Sequence, residues 1–595
     1  MLYVFIINLF DSRPKSYMDS DYIDVLAGPL QSNYGFEPKS YYYQNLFCLP
    51  PITSETDDIY ENLIGNKRYS TPMKLQTNHN TNCRFICKKN YSSEQKTALY
   101  DLIEKHYRAT FFVDGLPNNI QKGTSSSGDS QFIYGFDIGF QEDVSQKHGL
   151  VRGLHYLFTH YNFTVSIFRD FGLGLSYIDS LTIIPVSPPN IPPCQFDFAD
   201  SIENSSEFTF SYSISFKYVD DKPTRRWKQI LSTQYLPHIK WSILANILVG
   251  VFFFSIIFFA FTIQFLKKER RHIQGSKGEV DGGWRVIKND IFRTPSSVIS
   301  LSTKVGLGFH FLIIIICWLV LFSLGLYKPS YSGTYIKTLF SLYLILSPVA
   351  GFLTEIVYSS TGIGGNKFSS LRVSIYQNIS MFISLFVYII YGYVTDGPLK
   401  LSIKRMIFIA FVFFMSTLLS ISGQVFGLWY NRIRSMGESS PIPRKIPKRP
   451  IAFSVECMEI IGGFIIFIVI FPFLDILMKL VPTSYGLNTI FPIGLLSLGA
   501  MTIISIIVSI VSLSILVYYE DYEWWWASFH IPSHSGVYVL LYLIHHWMKH
   551  FYSSDLLENL YILILFFLLS LLVWAINGSI GFLSAYYVVS VLYKQ

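Results

Sequence analysis

The chain changes texture near residue 240. Before that point no apolar run exceeds ten residues, and short β-branched and aromatic stretches are broken by Pro, Asn, Gly and Ser. Phe208-Thr209-Phe210-Ser211-Tyr212-Ser213-Ile214-Ser215-Phe216 alternates apolar with small polar side chains, the period-two pattern of a strand buried on one face. One helix is expected from Ser93 to Arg108, capped by Ser92 or Ser93, with Ala98, Leu99, Leu102, Ile103 and His106 at helical spacing. Gly123 to Ser130 reads as a flexible Ser-rich surface loop. Residues 16–240 therefore read as a β-rich, sandwich-like domain carrying one or more helices. From Trp241 onward the chain carries apolar segments of 17 residues or more, long enough to cross a hydrocarbon core about 30 Å thick. Nine are expected, at about 241–266, 303–326, 334–357, 371–394, 404–430, 455–480, 486–518, 535–552 and 559–592. Polar residues such as Lys337, Asn378 and His545 interrupt the third, fourth and eighth, which leaves counts of eight or ten open.

Composition fits that division. Of 595 residues 50% are hydrophobic and 15% charged, against about 25% charged in an average soluble domain, which excludes a wholly soluble protein. The net charge of +7 is too small for a nucleic-acid binder, so the placement of the basic residues matters more than their sum. Cytosolic loops collect Lys and Arg. The loops after helices one, three, five and seven hold Lys267, Lys268, Arg270, Arg271, Lys277, Arg285, Lys288, Arg293, Lys367, Arg432, Arg434, Arg444, Lys445, Lys448 and Arg449. The alternate loops hold only Lys328, Lys400, Lys404 and Arg405, an asymmetry of fifteen against four. It predicts an N-terminal domain on the lumenal or extracellular side, a nine-helix membrane domain over 241–595 with basic cytosolic loops, and a cytosolic C-terminus. Residues 1–15 open with an apolar stretch of signal-peptide length but without a basic n-region or a small-residue cleavage site. They read as a degenerate signal peptide, or else as a buried first strand.

Cys48, Cys83, Cys87 and Cys194 place an even number of thiols in the N-terminal domain, as expected where disulfides persist. Cys83 and Cys87 alone would make half a zinc site, with no second pair at ligand spacing; the connectivity of the four stays open. Asn90, Asn162 and Asn204 begin N-glycosylation triplets.

Motifs for catalysis are missing: the chain has no phosphate loop, His-Glu-x-x-His zinc motif or nucleophile elbow. Gly362-Ile363-Gly364-Gly365 lacks strand-to-helix context and reads as a turn. His546 and His550, one helical turn apart, read as a polar helix face rather than a metal pair. No enzyme activity, metal or cofactor is expected. Ionisable residues inside spans are costly in lipid and mark candidate sites: Glu355, Glu456, Glu459 and Asp475. Glu456 and Glu459 share one helix face and suit either a cation or proton pathway or a contact near the helix border; Asp475 is the best transport candidate. Gly423 with Gly427, and Gly578 with Gly581, let helices approach closely, either within the protein or against another protein's Gly-rich membrane helix.

Several motifs resemble those of the nonaspanins, the nine-transmembrane superfamily also called the endomembrane protein 70 family. The most specific is Glu520-Asp521-Tyr522-Glu523-Trp524-Trp525-Trp526-Ala527-Ser528-Phe529, similar to the family's acidic, triple-tryptophan signature. Gly283-Trp284-Arg285-Val286 with Asp290-Ile291-Phe292-Arg293-Thr294-Pro295 resembles its Gly-Trp-Lys and Asp-Val-Phe-Arg-x-Pro loop. Arg226-Trp227 with Ile239 to Ile243, Pro443 to Pro447, Gly578 to Phe582, Phe47 to Pro50 and Asn82 to Cys87 resemble further family segments. The tryptophans are expected either to anchor a cytosolic loop among the headgroups, with Glu520 and Asp521 available to the basic loops, or to pack into the helix ends. The family's Pro-Phe-Gly and embedded Glu are matched only approximately, by Phe471-Pro472-Phe473 and Asp475.

The resemblance implies an endomembrane protein of Golgi or endosomes that helps deliver other membrane proteins to the surface by engaging their transmembrane segments. On this reading client helices rich in Gly meet a groove among the small-residue helices, and the basic loops meet anionic membrane lipid. The rival expectation is an ion or solute transporter using Asp475, Glu355, Glu456 and Glu459. The family's tails often carry a Lys-x-Asp-like signal read by coat proteins. This sequence stops at Lys594-Gln595 without the terminal acid, so coat binding is not expected.

Overall fold

The computed structural model describes residues 15–32, 38–51, 59–63, 65–124, 130–141, 153–170, 172, 174–186, 201–220, 287, 290–324, 333–361, 403–431, 442–480, 487–550 and 556–593, with scattered residues between 249 and 264 and between 372 and 390. The expected signal peptide, Trp284 and Cys194 lie outside the described residues, as does most of the expected first and fourth spans.

The N-terminal domain is built on two principal sheets. One has seven strands, in which His160–Asp170 lies between Leu175–Val186 (antiparallel) and Glu207–Tyr218 (parallel), and Thr81–Asn90 pairs with the far side of Glu207–Tyr218. The other has four strands, with Tyr69–Gln76 at its edge beside Tyr22–Ala27. Val25, Leu75 and Phe111 of the smaller sheet and Phe163, Leu181, Ile183 and Phe210 of the larger belong to one buried core. Alternation produces this arrangement, because every second residue of a strand points to the same face. Gly123 and Thr124 pair with Gln131 and Ser130, so the described parts of the Ser-rich stretch are strand, not loop.

Among the described residues two α-helices interrupt the sheets, α1 (Ile59–Leu63) and α2 (Ser93–Glu104). Ser92 caps α2 in a reciprocal capping box with Gln95, and Leu99, Leu102 and Ile103 form its buried face. It stops four residues short of the expected Arg108 because His106 adopts the left-handed region, φ +48°, after which Tyr107 starts a strand.

In the membrane domain the described residues include α3 (Val298–Ser323), α4 (Gly333–Ser360), α5 (Ile403–Asn431), α6 (Val455–Leu480), α7 (Leu487–Tyr518), α8 (Trp524–Ser533), α9 (Ser535–His550) and α10 (Leu556–Tyr593). Six of these, α3 to α7 and α10, are long and apolar enough to cross a membrane. The expected eighth span, 535–552, corresponds to α9, but the helical path begins earlier, at Trp524. Pro532 and the turn through His534 break it into α8 and α9. At 38 residues α10 is the longest described helix, about 57 Å, and it packs against α3, α7, α8 and α9.

Candidate functional site

The geometry of the triple-tryptophan segment begins at the end of α7. Glu520 lies in the left-handed region, φ +56°. Its N–H donates to the Val517 carbonyl at 3.1 Å while the Asp521 N–H donates to Leu516 at 2.9 Å. These are the paired bonds of a Schellman stop, with Glu where Gly is usual. An L side chain there costs about 1–2 kcal/mol, which neighbouring contacts must offset. Arg444 pairs with Glu520 at 2.9 Å, and Arg449 pairs with Asp521 at 2.8 Å. The other Asp521 oxygen accepts the Glu523 N–H at 2.8 Å, which turns the chain into α8. Burial, and next the charge of Glu523, push the Tyr522 phenol above its ordinary range, so it stays neutral beside the Arg293 guanidinium, 5.8 Å from its ring. Arg293 itself is held by Asp290 at 2.6 Å.

The tryptophans follow the packing alternative. Trp524 is fully buried and Trp525 nearly so; their rings stack at 4.4 Å, and Trp524 faces Phe582 of α10 at 6.0 Å. The Trp524 indole donates to the Ile291 carbonyl at 2.9 Å, and Trp526 donates to Ser296 at 2.8 Å. Phe292 packs against the same core. Only Trp526 keeps an outer position, between His530 at 5.2 Å and the Lys304 ammonium at 4.9 Å. Three separate segments, 290–297, 442–450 and 520–526, thus close over one end of the helices as a cap. Within it Arg444 and Arg449 are held by acids of the protein rather than left for lipid, whereas Lys445 and Lys448 remain exposed.

Of the pairs in the cap, Arg449–Asp521 carries the most energy, because the Asp521 side chain is 3% exposed and that of Arg449 18%. A charge-assisted bond of this kind contributes about 1.5–3 kcal/mol. Arg449→Met and Asp521→Asn are each expected to lower the melting temperature of the detergent-solubilised protein, and the double variant to lose little more than either single one. Fully additive losses would show that the two side chains do not act together.

The small-residue pairs face inward. A side chain at Gly423 would run into the Pro348 carbonyl of α4, and a Cβ at Gly427 would lie 2.9 Å from that of Glu355. At Gly578 a Cβ would lie 2.7 Å from the Phe529 ring, and at Gly581 it would collide with Pro532. The expected client groove at these glycines is therefore filled by α4 and α8 of the protein itself.

The acids are also engaged. Glu355 is buried on α4 where Gly427 of α5 crosses it. Glu456 occupies the exposed first turn of α6, behind the Ser454 hydroxyl, which accepts the Cys457 N–H at 3.3 Å. Glu459 lies 3.5 Å from His534, at the break between α8 and α9. Asp475 accepts from the Tyr542 hydroxyl of α9 at 3.2 Å. His546 lies 6.0 Å from the Tyr542 ring, and among the described residues no group of three His, Cys, Asp or Glu is placed to hold a metal. A polar chain absent from the sequence reading holds the helix break: Ser505 donates to Asn577 at 3.1 Å, and Asn577 donates to Ser535 at 2.6 Å. The signal in the sequence is a single amide within the apolar run of α10.

In the N-terminal domain Cys48 and Cys87 are disulfide-bonded, with Cα atoms 6.0 Å apart, and Cys83 is disulfide-bonded as well. That removes Cys83 and Cys87 as half of a zinc site. Asn90 and Asn204 are exposed. Asn162 lies mid-strand, where its side-chain oxygen meets His160 at 2.9 Å and Ser213.

The sequence profile described as Endomembrane protein 70 matches residues 38–556. The chain is 24% identical to a Transmembrane 9 superfamily protein of Schizosaccharomyces pombe, over 98% of this chain and 94% of that one. It is 23% identical to Transmembrane 9 superfamily member 11 of Arabidopsis thaliana (98% and 95%) and 24% identical to member 2 of Homo sapiens (99% and 93%). No solved structure matches it. A multi-pass membrane domain, a β-rich N-terminal domain and a profile match over most of the length converge: this chain belongs to the endomembrane protein 70 family, the Transmembrane 9 superfamily.

Proposed function

We propose that this protein is a nine-span component of Golgi and endosomal membranes that assists the sorting and surface localisation of other membrane proteins by engaging their transmembrane helices. Its N-terminal domain faces the lumen, with Asn90 and Asn204 open to glycosylation, and its C-terminus faces the cytosol, the side on which the basic loops and the tryptophan cap lie. No catalytic role is proposed for any residue.

The observation that carries the client-binding part is the seam between α6 and α9. Glu459 meets His534 there with both side chains partly exposed, Tyr538 donates to the Ile460 carbonyl at 3.1 Å, and Tyr542 donates to Asp475. Phe464 and Phe471 fill the intervals and remain exposed. Polar groups at the surface of a membrane domain are costly against lipid, and a second helix satisfies them better. With the glycine pairs used internally, this face takes the place of the expected client groove. The transport reading has its best residue, Asp475, bonded to Tyr542.

Surface delivery of a reporter bearing a Gly-rich transmembrane helix is expected to fall in cells lacking this protein. The wild-type chain should restore it, and a Glu459→Leu/Tyr538→Phe variant of unchanged abundance should not. Unchanged delivery in the null cells overturns the proposal, and full rescue by the variant removes the seam from it.

A further inference from the structure

The two sheets of the N-terminal domain leave a cleft where their edge strands meet. Tyr69–Gln76 ends the four-stranded sheet and Thr81–Asn90 ends the seven-stranded one. Between them lies a cavity of about 230 Å³ lined by Tyr22, Pro72, Lys74, Arg84, Phe85 and Tyr212. Tyr212 is its buried floor and is fixed there, its hydroxyl donating to the Lys74 carbonyl at 3.2 Å. Arg84 stands directly across from Tyr212 in the strand register. Tyr22 and Phe85 form the rims, each 61% exposed.

Edge strands commonly carry charges that discourage pairing with other chains, and that accounts for a Lys and an Arg here. It does not account for two large aromatic rings left in water around them, since burying each would contribute about 1.5–3 kcal/mol. Nor are the charges spent on the fold. Lys74 reaches Asp24 only at 4.0 Å, with both side chains more than half exposed, a pair of little energy. Among the described residues no acid pairs with the Arg84 guanidinium. The cleft thus combines aromatic faces, a fixed hydroxyl and two cations of the same sign.

From this combination we infer that the cleft binds a sugar residue bearing a carboxylate, at the end of a glycan. The C–H face of a pyranose ring is apolar and packs on an aromatic rim, while a planar carboxylate matches the fork of an Arg guanidinium. At 230 Å³ the cavity lies below the ~300–1,000 Å³ of sites for drug-sized ligands, which suits one sugar ring rather than a folded peptide. The inference does not depend on client helices being engaged in the membrane: it concerns a separate surface and is tested without cells.

The test is binding of 3′-sialyllactose and of lactose to the full-length protein in detergent, followed by saturation-transfer NMR. Sialyllactose should bind, with lactose about tenfold weaker, the loss of one charged contact of about 1.4 kcal/mol. Arg84→Ala should bring the two sugars to equal, weak affinity, and Phe85→Ala should weaken both. The melting temperature should stay unchanged in each case, because both side chains are exposed. Equal binding of the two sugars by the wild type, unaltered sialyllactose binding by Arg84→Ala, or no sugar binding at all would each overturn the inference. Binding of an acidic peptide alone would overturn it in favour of a protein ligand.

Discussion

Trp524→Ala is expected to destabilise the membrane domain by about 3–5 kcal/mol, the usual cost of truncating a fully buried aromatic side chain. Trp524 is 0% exposed, and its ring joins Trp525 of the same helix to Phe582 of α10. Its N–H satisfies the carbonyl of Ile291, a residue that is itself fully buried. Alanine therefore opens a cavity and orphans an acceptor at once. Trp524→Phe refills most of the space but still leaves the carbonyl without its donor, a loss of about 1–3 kcal/mol. Trp526→Ala should cost less than either, since that ring lies at the outer edge over Lys304. Melting midpoints of the purified variants in one detergent rank the three directly. Equal effects at Trp524 and Trp526 would refute the buried cap and favour a row of tryptophans in the headgroup zone.

That ranking separates what the sequence made legible from what it hid. Apolar length marked the helices well, because crossing lipid demands about 20 such residues in a row, and α3, α5, α6 and α7 begin or end within a few residues of the expected bounds. Period-two alternation likewise marked Glu207–Tyr218 as a strand. The sequence did not show that its neighbour His160–Asp170 runs parallel to it, a long-range pairing with no local signal. The sequence leaves the three tryptophans open between anchoring among the headgroups, since Trp is amphipathic, and packing into the helix ends. Packing prevails in the structure, where a short helix ahead of the break at Pro532 and His534 carries Trp524 and Trp525 into the core. Gly462 and Gly463 of α6 close around that break: a Cβ on the first would lie 2.8 Å from Ile531, and on the second 2.7 Å from His534. Gly578 and Gly581 do the same from α10. Spacing alone revealed that these glycines permit close approach, but not that the approaching helix belongs to the same chain.

Glu61→Ala should have an effect as large as that of Trp524→Ala, at the opposite kind of site, where the N-terminal domain meets the membrane domain. The Glu61 side chain is 2% exposed. One of its oxygens accepts the backbone N–H of Gly333 at 3.0 Å and the other accepts the Asn66 amide at 2.7 Å. Gly333 is the first residue of α4, so a carboxylate of α1 sits on an unpaired N–H at the positive end of a long helix. Contact is close enough that a Cβ at Gly333 would lie 2.8 Å from the Glu61 nitrogen, and Tyr60 faces Phe340 at 6.2 Å. Arg68, nearly as buried as Glu61, has its guanidinium 3.9 Å from the carboxylate and 3.9 Å from the centre of the Phe112 ring. Removing the carboxylate therefore weakens the hold on a buried cation as well as on a helix N-terminus, and breaking a buried pair of this kind costs about 3–5 kcal/mol. The loss should appear as faster hydrogen exchange in residues 59–63 and 333–340 together, with exchange in the strands of the N-terminal core unchanged. Glu61→Gln keeps an acceptor for Gly333 but not the charge, and should fall between wild type and alanine. Exchange that stays at the wild-type rate in both segments of Glu61→Ala would show that the two domains are joined by other contacts, with Glu61 incidental to them.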